Sequence, residues 1–296
     1  MNTQFSRSLA VSLTLLLGIV CMAPSRATNL ANKPIAAGAD VPGNLALSLS
    51  VEYPTAISIA NLGDYSDNTQ YPGYFDPAKC YTYQYDSTTP ANSYFQATSL
   101  NTASNGHDCS PLPGQWSGNF MNWVATQTID PFRWALTGGY RSVDTTSQTI
   151  VEKAYGSAQG SAPANYPYRG TSQPTGNQLS TSGSFIAKLT PFNTWSALDV
   201  GVWGNGKTMV ISGGGSGSGY TLPTTSGLVI DLTSDLSVSN TSAAAIGAYR
   251  VYVRVAVCDA TLGTAMLEPN CVQYGSNYKP EGLLQQYANK IRFSAF

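Results

Sequence analysis

The sequence predicts a β-rich fold of mixed α/β or α+β class with three to four short helices. Strands are indicated by segments in which apolar and polar residues alternate with period two, most cleanly over residues 250–257. Helices are indicated by Ser117 and Asp130, residue types that favour helix N-termini, each followed by apolar residues at helical spacing. The chain is 42% hydrophobic and 10% charged, which is apolar enough for a folded core.

The first elements are two short strands and a helix. Residues 43–60 alternate with period two around Pro54, which predicts two strands. Residues 71–85 are crowded with aromatic and turn residues and predict a loop followed by a strand. Ser117 is expected to cap a helix with one apolar side. That side consists of Phe120, Met121, Trp123 and Val124.

Two further helices are predicted before residue 156. The first is capped by Asp130, has Pro131 at its first position and ends at Gly138. Its expected buried stripe is Phe132, Ala135 and Leu136. The second is capped by Asp144 and extends to about Tyr155. Its expected buried residues are Ile150, Val151 and Ala154.

The second half of the chain is predicted to be mainly strands. Residues 156–184, rich in Gly, Pro, Ser, Thr and Asn, are expected to form a loop or linker between an N-terminal part, 28–155, and a β-rich part, 185–296. Short β-type runs follow at 185–189, 197–203, 208–212, 227–232 and 249–257. A glycine-rich loop lies among them at 213–219. Pro280 opens a last helix, and residues 291–296 predict a terminal strand that needs a pairing partner.

The N-terminus has the features of a secretory signal peptide over residues 1–27. Arg7 precedes an apolar run at 9–22, and the small residues Ser25 and Ala27 suit a cleavage site after Ala27. Val20 stands before Cys21 where a lipoprotein signal has a small residue, so lipidation is not expected. No later stretch is long and apolar enough to span a bilayer. We therefore expect a mature chain outside the cytoplasm.

The charge balance excludes one class of partner. The chain has 15 Lys and Arg against 16 Asp and Glu, with no basic cluster. Nucleic-acid binding needs a basic residue for each neutralised phosphate, so nucleic acid is not an expected partner. The 18 tyrosines and five tryptophans suggest instead a weakly charged surface suited to adhesive contact.

Four cysteines remain after the signal peptide, and they allow three pairings. We favour Cys80 with Cys109 and Cys258 with Cys271, because each pair encloses turn-rich sequence. Each disulfide would stabilise the fold by about 3 kcal/mol. A zinc site is disfavoured, since no two of these cysteines are close in sequence and His107 is the only imidazole.

Two short motifs could bind Ca²⁺ or Mg²⁺, and no other cofactor is expected. Asp64, Ser66 and Asn68 follow an apolar stretch and offer one carboxylate and two neutral oxygens. Asp235 begins a similar motif, but a match this short also occurs by chance in a serine-rich chain.

The sequence predicts no catalytic residues. The sequence of residues 201–208 fits the phosphate-loop pattern. Strand-like residues follow where that motif requires a helix, so a hairpin turn is expected instead. A serine triad would have to use His107 inside a probable disulfide loop. Carboxylate pairs for glycoside cleavage stay open, so a secreted carbohydrate-active enzyme is kept as an alternative. The acids considered, Glu52, Asp76, Asp130, Glu152 and Asp199, are interpreted as caps and surface groups.

Several sequence segments together resemble those of one family. They are residues 73–81, 116–123, 129–141, 144–154 and 278–287, followed by Ile-Arg-Phe-Ser from Ile291. In this order they are similar to the N-terminal region of the PilC/PilY family of type IV pilus biogenesis factors and tip adhesins. The motif positions are Trp116, Asn119, Trp123, Asp130, Arg133 and Glu281.

The resemblance implies a non-enzymatic, exported protein of Gram-negative bacteria. Such a protein promotes pilus assembly, opposes retraction, and binds host cells or other surfaces from the outer membrane surface or the pilus tip. Minor pilins and the pilus machinery are the implied partners. The resemblance also allows a von Willebrand A-like domain with β insertions, in which only Asp64, Ser66 and Asn68 could represent the metal motif.

The resemblance implies longer family members with a C-terminal β-propeller and a calcium loop, and no segment of this sequence is expected to form them. Calcium control of retraction is therefore not carried over. A second hypothesis is that the chain is a truncated or split reading frame that is inactive without its propeller half.

Overall fold

The computed structural model describes residues 42–48, 58–101, 106–109, 115–154, 166–179, 183–192, 195–202, 207–213, 229–233 and 248–295. The predicted signal peptide, the segment around Pro54 and the Asp235 motif lie outside the described residues.

The described chain forms fifteen strands and four α-helices. In the first half the strands are β1 (Gly43–Leu47), β2 (Lys79–Gln84), β3 (Tyr94–Leu100), β4 (Trp116–Ser117), β5 (Arg141–Asp144), β6 (Thr149–Glu152) and β7 (Arg169–Gly170). In the second half they are β8 (Asp199–Val202), β9 (Thr208–Ser212), β10 (Val229–Asp231), β11 (Ala248–Tyr252), β12 (Arg254–Val257), β13 (Cys271–Tyr274), β14 (Asn277–Pro280) and β15 (Ile291–Ala295). The helices are α1 (Gly118–Ala125), α2 (Ile129–Thr137), α3 (Gly183–Leu189) and α4 (Leu283–Gln286).

The strands form two larger sheets and two pairs. The order of the six-stranded sheet is β4-β2-β3-β12-β6-β5, and that of the five-stranded sheet is β10-β11-β9-β8-β7. β13 pairs with β14, and β15 pairs in parallel with β1, so the predicted terminal strand has a partner. The predicted β-rich mixed fold with up to four helices is confirmed. The von Willebrand A-like alternative does not match the described sheets, because each larger sheet contains only one parallel pair.

One continuous stretch joins the two larger sheets. The sequence predicts a single strand over 249–257, but the chain leaves the five-stranded sheet after β11 and enters the six-stranded sheet at β12. Between the two strands, the Val253 amide donates a hydrogen bond to the Lys207 carbonyl, and the Val253 carbonyl accepts one from the Lys153 amide. Its valines stay buried throughout, as the period-two alternation predicts. Both sheets therefore contribute to one hydrophobic core.

Two predicted elements are of the wrong type. The helix predicted from Asp144 is instead the hairpin β5–β6, whose turn is closed by hydrogen bonds between Thr145 and Gln148. Ile150 and Val151 are buried as expected, but they are buried in a strand that pairs with β12. The strand predicted over 185–189 is helix α3.

The predicted disulfide pairing and the strands on either side of residues 203–206 are confirmed. The disulfides Cys80–Cys109 and Cys258–Cys271 are the pairs favoured from the sequence. β8 and β9 pair antiparallel, and Thr208, which would begin the helix of a phosphate loop, lies in β9. Residues 203–206, where the turn is predicted, lie outside the described residues. Within the described residues, no helix has the length and apolar character needed to cross a membrane.

The segment predicted as a loop or linker takes part in the core where it is described. Residues 166–179 include β7, and the side chains of Tyr166 and Leu179 are buried in the shared core. The carbonyl oxygens of Val124 and Thr126 accept hydrogen bonds from the Tyr166 hydroxyl at 3.3 and 3.2 Å.

Candidate contact surface

Helix α1 presents two asparagine side chains to the loop before β2. The Ser117 hydroxyl caps the helix by accepting a hydrogen bond from the Phe120 amide at 3.3 Å, as predicted. Asn119 and Asn122 are fully buried, and their spacing of three residues places them on one face of the helix. Buried amide groups of this kind need hydrogen-bond partners.

The partners are backbone groups of the loop. Asn122 accepts a hydrogen bond from the Phe75 amide at 3.0 Å and donates to the carbonyls of Tyr71 and Phe75 at 2.9 and 2.7 Å. Asn119 accepts from the Tyr71 amide at 2.9 Å. At Gly73 a Cβ atom would stand 2.1 Å from the Asn122 Oδ1 atom, so the close approach requires glycine. The asparagines thus fix an irregular loop in one conformation.

The two motif tryptophans anchor α1 in the core. Trp116 and Trp123 are almost completely buried, and the Trp123 indole N–H donates to the Gly63 carbonyl at 3.0 Å. The buried Arg169 guanidinium lies 4.3 Å from the Trp123 ring centroid and donates to the carbonyls of Trp123 and Asn61. Burial lowers the pKa of Arg169 to about 10. Arg169 therefore ties the segment with β7 to α1, a role that no sequence pattern indicated.

Asp130 anchors the start of α2 without capping it. The helix begins at Ile129, one residue before the predicted cap. The Asp130 carboxylate accepts hydrogen bonds from the amides of Gln127 and Ala154 at 3.1 and 2.9 Å, which ties α2 to the chain after β6. Burial raises the pKa of Asp130 to about 6. The C-terminus is capped by left-handed Gly138, as predicted.

The apolar residues of α2 face solvent, contrary to the predicted buried stripe. Phe132 is 55% exposed, Trp134 is 39% exposed, and Ala135 is also exposed. Asp130 is the one buried residue of the helix. Arg133, a motif position, lies 5.2 Å from the ring centroid of Tyr140, which is exposed as well. The helix is thus held largely through its ends, and aromatic side chains are left on its outer face.

The C-terminal segment packs tightly against the end of α2. A Cβ atom at Gly138 would stand 2.3 Å from the Pro280 carbonyl oxygen, and one at Gly282 would stand 2.2 Å from the carbonyl carbon of Leu136. The Arg141 guanidinium also donates to the Pro280 carbonyl. Two glycines therefore allow backbone contact between α2 and the chain around α4.

The motif residue Glu281 lies in this segment. Its amide donates to the Asn270 carbonyl at 2.8 Å, and its carboxylate accepts from the Tyr274 hydroxyl. Two large apolar side chains at α4, Leu283 and Tyr287, are more than 40% exposed. We call the exposed apolar residues of α2 and of the chain packed on its end the contact surface. It comprises Phe132, Trp134, Tyr140, Leu283 and Tyr287.

A groove with a volume of about 460 Å³ lies beside Trp134. Its walls are the asparagine-bound loop over 70–79, the start of α2 and the segment 265–269. The Lys79 ammonium, which is buried, binds Glu268 at 2.7 Å and Asp76 at 3.2 Å. A mostly apolar concavity with a few convergent polar groups is the usual form of a binding site.

Glu268 is fixed on both carboxylate oxygens. Oε1 binds Lys79, and Oε2 accepts a hydrogen bond from the Cys258 amide at 2.8 Å. The Cys258–Cys271 disulfide closes the loop that contains Glu268. Sequence reasoning missed both Lys79 and Glu268, because they are 189 residues apart and neither belongs to a recognisable motif.

Two of the three predicted metal-binding side chains, Asp64 and Ser66, accept hydrogen bonds from backbone amides. Asp64 Oδ1 accepts hydrogen bonds from the amides of Gly176 and Gln178 at 2.6 and 2.8 Å. The Ser66 hydroxyl accepts from the Asn68 amide at 3.3 Å. Binding of Ca²⁺ or Mg²⁺ by this triple stays a prediction.

Three of the acids considered for glycoside cleavage, Asp130, Glu152 and Asp199, are buried and are not the surface groups or caps that were expected. Glu152 binds Lys207 at 2.5 Å and Arg254 at 3.2 Å. Asp199 accepts a hydrogen bond from the Gln173 side chain at 3.0 Å. Like Asp130, both hold the fold together through bonds to distant segments.

These features define a disulfide-bridged, β-rich module of mixed α/β class with an exposed aromatic surface beside a groove. Residues 63–201 match the sequence model of a domain described as "PilY1 homolog, small alpha/beta domain". The chain is therefore a PilY1-related protein, which confirms the resemblance found in its motifs.

Two relatives come from Xylella fastidiosa strain Temecula1, and both are named "Type IV pilus biogenesis factor PilY1 homolog". One is 42% identical over 269 residues, which cover 90% of this chain and 20% of the relative. The other is 39% identical over 98 residues, which cover 33% of this chain and 6% of the relative. The chain thus spans about a fifth of the length of the first relative. No solved structure matches the chain.

Proposed function

We propose that this chain acts in type IV pilus biogenesis as a non-enzymatic module that supports pilus assembly and surface adhesion through protein contacts. The names of the two relatives support the pilus context. Because the chain spans only part of their length, the role is proposed for this module and not transferred from the whole relative.

The exposed aromatic residues of α2 are the observation that carries the contact role. Phe132 and Trp134 are large side chains held on a helix with anchored ends, although most apolar side chains of this size are buried. Exposed aromatic residues of this kind often provide most of the binding energy at protein interfaces. Burying one such side chain against a partner contributes about 2 kcal/mol.

The groove supports binding over bond cleavage. A glycosidase needs two carboxylates that face a bound substrate and are free to act as acid and base. In this groove Asp76 and Glu268 bind the same Lys79 ammonium, and Glu268 has bonds on both oxygens. These bonds favour the contact role over the alternative of a carbohydrate-active enzyme.

We place the module outside the cytoplasm, from the periplasm to the outer membrane surface or the pilus tip. The two disulfides support this placement, because such bonds persist in oxidising compartments. The proposed partners are minor pilins and other parts of the pilus machinery. A host-cell or abiotic surface is the proposed target of adhesion.

The test is deletion of the gene followed by complementation. Wild-type protein should restore pili, twitching and attachment to a surface. The double variant Phe132→Ser/Trp134→Ser should be exported and folded but should restore these properties poorly, because it lacks the aromatic contacts.

Leu62→Ser is the matched control, since Leu62 is 77% exposed and lies outside α2. It should complement like the wild type. Full complementation by the double variant would contradict the contact role of α2. Wild-type piliation, twitching and attachment in the deletion strain would contradict the pilus role itself.

A further inference from the structure

A second group of polar residues lies away from the contact surface, where two aspartates approach each other. Asp67 lies in the loop before β2, and Asp108 precedes the disulfide residue Cys109. Oδ1 of each carboxylate is buried and has no hydrogen-bond partner, and Asp108 as a whole is only 4% exposed. Buried carboxylate oxygens nearly always have a partner, because removing them from water is costly.

Asp67 and Asp108 lie near each other, because the ring of His107, the residue before Asp108, contacts the Asp67 carbonyl. Burial raises the pKa of Asp67, and the nearby charge of Asp108 raises it further. Both aspartates also add to the effect of burial in raising the pKa of Tyr65. Asp108 Oδ2 binds the Lys188 ammonium at 3.0 Å, and the Lys188 side chain is 41% exposed. Lys188 and His107 partly offset the two carboxylates, and the Tyr65 hydroxyl bonds the Asp67 carboxylate, but neither Oδ1 atom has a partner.

The backbone around the pair is fixed by bonds that do not use the free oxygens. The Cys80–Cys109 disulfide holds the chain next to Asp108, and the Cys109 amide donates to the Lys188 carbonyl at 2.8 Å. The His107 ring contacts the Asp67 carbonyl. The positions of the carboxylates are therefore set by the fold before any ligand binds, which lowers the cost of binding.

We propose that Asp67 and Asp108 together bind a hard divalent cation of the Ca²⁺ or Mg²⁺ type. Carboxylate oxygens are the preferred protein ligands of these ions, which complete their coordination with water and neutral oxygens. A cation bound by both carboxylates would give the two Oδ1 atoms a partner. The site differs from the predicted triple of the same loop, in which Asp64 Oδ1 already accepts two amides.

The nearby Tyr65 allows a direct optical test with Tb³⁺, which substitutes for Ca²⁺ and emits when an excited aromatic ring lies close. The purified chain should show saturable Tb³⁺ emission that Ca²⁺ displaces, with a Kd for Ca²⁺ on the order of 0.1 to 1 mM, as in extracellular calcium modules. At about 10 mM, Ca²⁺ should raise the ratio of folded to unfolded chain roughly tenfold or more. A wild-type chain without saturable emission would overturn the proposal.

Asp67→Asn and Asp108→Asn each remove a proposed ligand charge and should weaken Ca²⁺ binding at least about tenfold. Asp86→Asn is the matched control, because Asp86 caps a turn elsewhere through Oδ1, which asparagine retains. Its affinity should equal that of the wild type. Unchanged affinity in either ligand variant, with folding verified by circular dichroism, would overturn the proposal.

Lys188→Gln provides a test that does not depend on loss of binding. The Lys188 ammonium competes with a cation for Asp108. Because the Lys188 side chain is partly exposed, the variant should fold like the wild type. Removing it should tighten Ca²⁺ binding roughly fivefold. An unchanged or weaker affinity would count against a cation at these carboxylates.

Discussion

The clearest structural prediction concerns Asn122, whose side chain holds the loop along the groove. Asn122→Ala removes three hydrogen bonds and leaves the Phe75 amide and the carbonyls of Tyr71 and Phe75 without their partner. Each buried backbone group left unsatisfied costs about 1 to 3 kcal/mol. Because the carbonyls can regain water more easily than the amide, we expect the free energy of unfolding to fall by about 3 to 5 kcal/mol.

Urea unfolding followed by tryptophan fluorescence measures this loss. Asn92→Ala is the matched control, since Asn92 is exposed and no side-chain hydrogen bond holds it among the described contacts. The control should change the free energy of unfolding by less than about 0.5 kcal/mol. A loss below about 1 kcal/mol for Asn122→Ala would refute the reasoning that this side chain fixes the loop.

Three further predictions concern stability. Gly282→Ala should lower the free energy of unfolding by about 2 kcal/mol or more in urea, because its Cβ would overlap Leu136; an unchanged midpoint would contradict that packing. Because the pKa of Asp130 in the folded chain, about 6, exceeds the ordinary aspartate value of 3.8, its stabilising contribution is complete below about pH 4 and declines as the pH rises through 6. Compared with Asp130→Asn, the wild type should therefore lose up to about 3 kcal/mol between pH 4 and pH 7; parallel pH profiles would contradict the raised pKa. Replacing Cys80 and Cys109 by serine should cost about 3.5 kcal/mol, as expected for a loop of this length, and equal thermal stability of variant and wild type would refute it.

Features set by neighbouring residues could be predicted from the sequence. The Ser117 cap, the left-handed Gly138 and the two cysteine pairs each depend on short segments, and the structure has all of them. Strands β8, β9 and β12 of the second half could also be predicted, because period-two alternation matches sheet faces that are buried on one or both sides.

Features set by distant residues could not be predicted. Residues 144–155 have a plausible cap and apolar spacing for a helix. Ile150 and Val151 nevertheless form a strand, because β12, about a hundred residues later in the chain, provides backbone hydrogen bonds to β6. Helix α2 was identified correctly, yet its exposed face was not, since its anchors are the bonds of Asp130 and the contacts of Gly282. The groove and the Asp67 pair likewise depend on contacts between segments far apart in sequence.

The claim that α2 makes functional contacts is tested most directly by binding to pili. Purified chain is titrated against pili sheared from a strain that lacks the gene. The wild type and Leu62→Ser should bind saturably with equal affinity, and Phe132→Ser/Trp134→Ser should bind at least about tenfold more weakly. Equal binding by all three proteins would contradict the account.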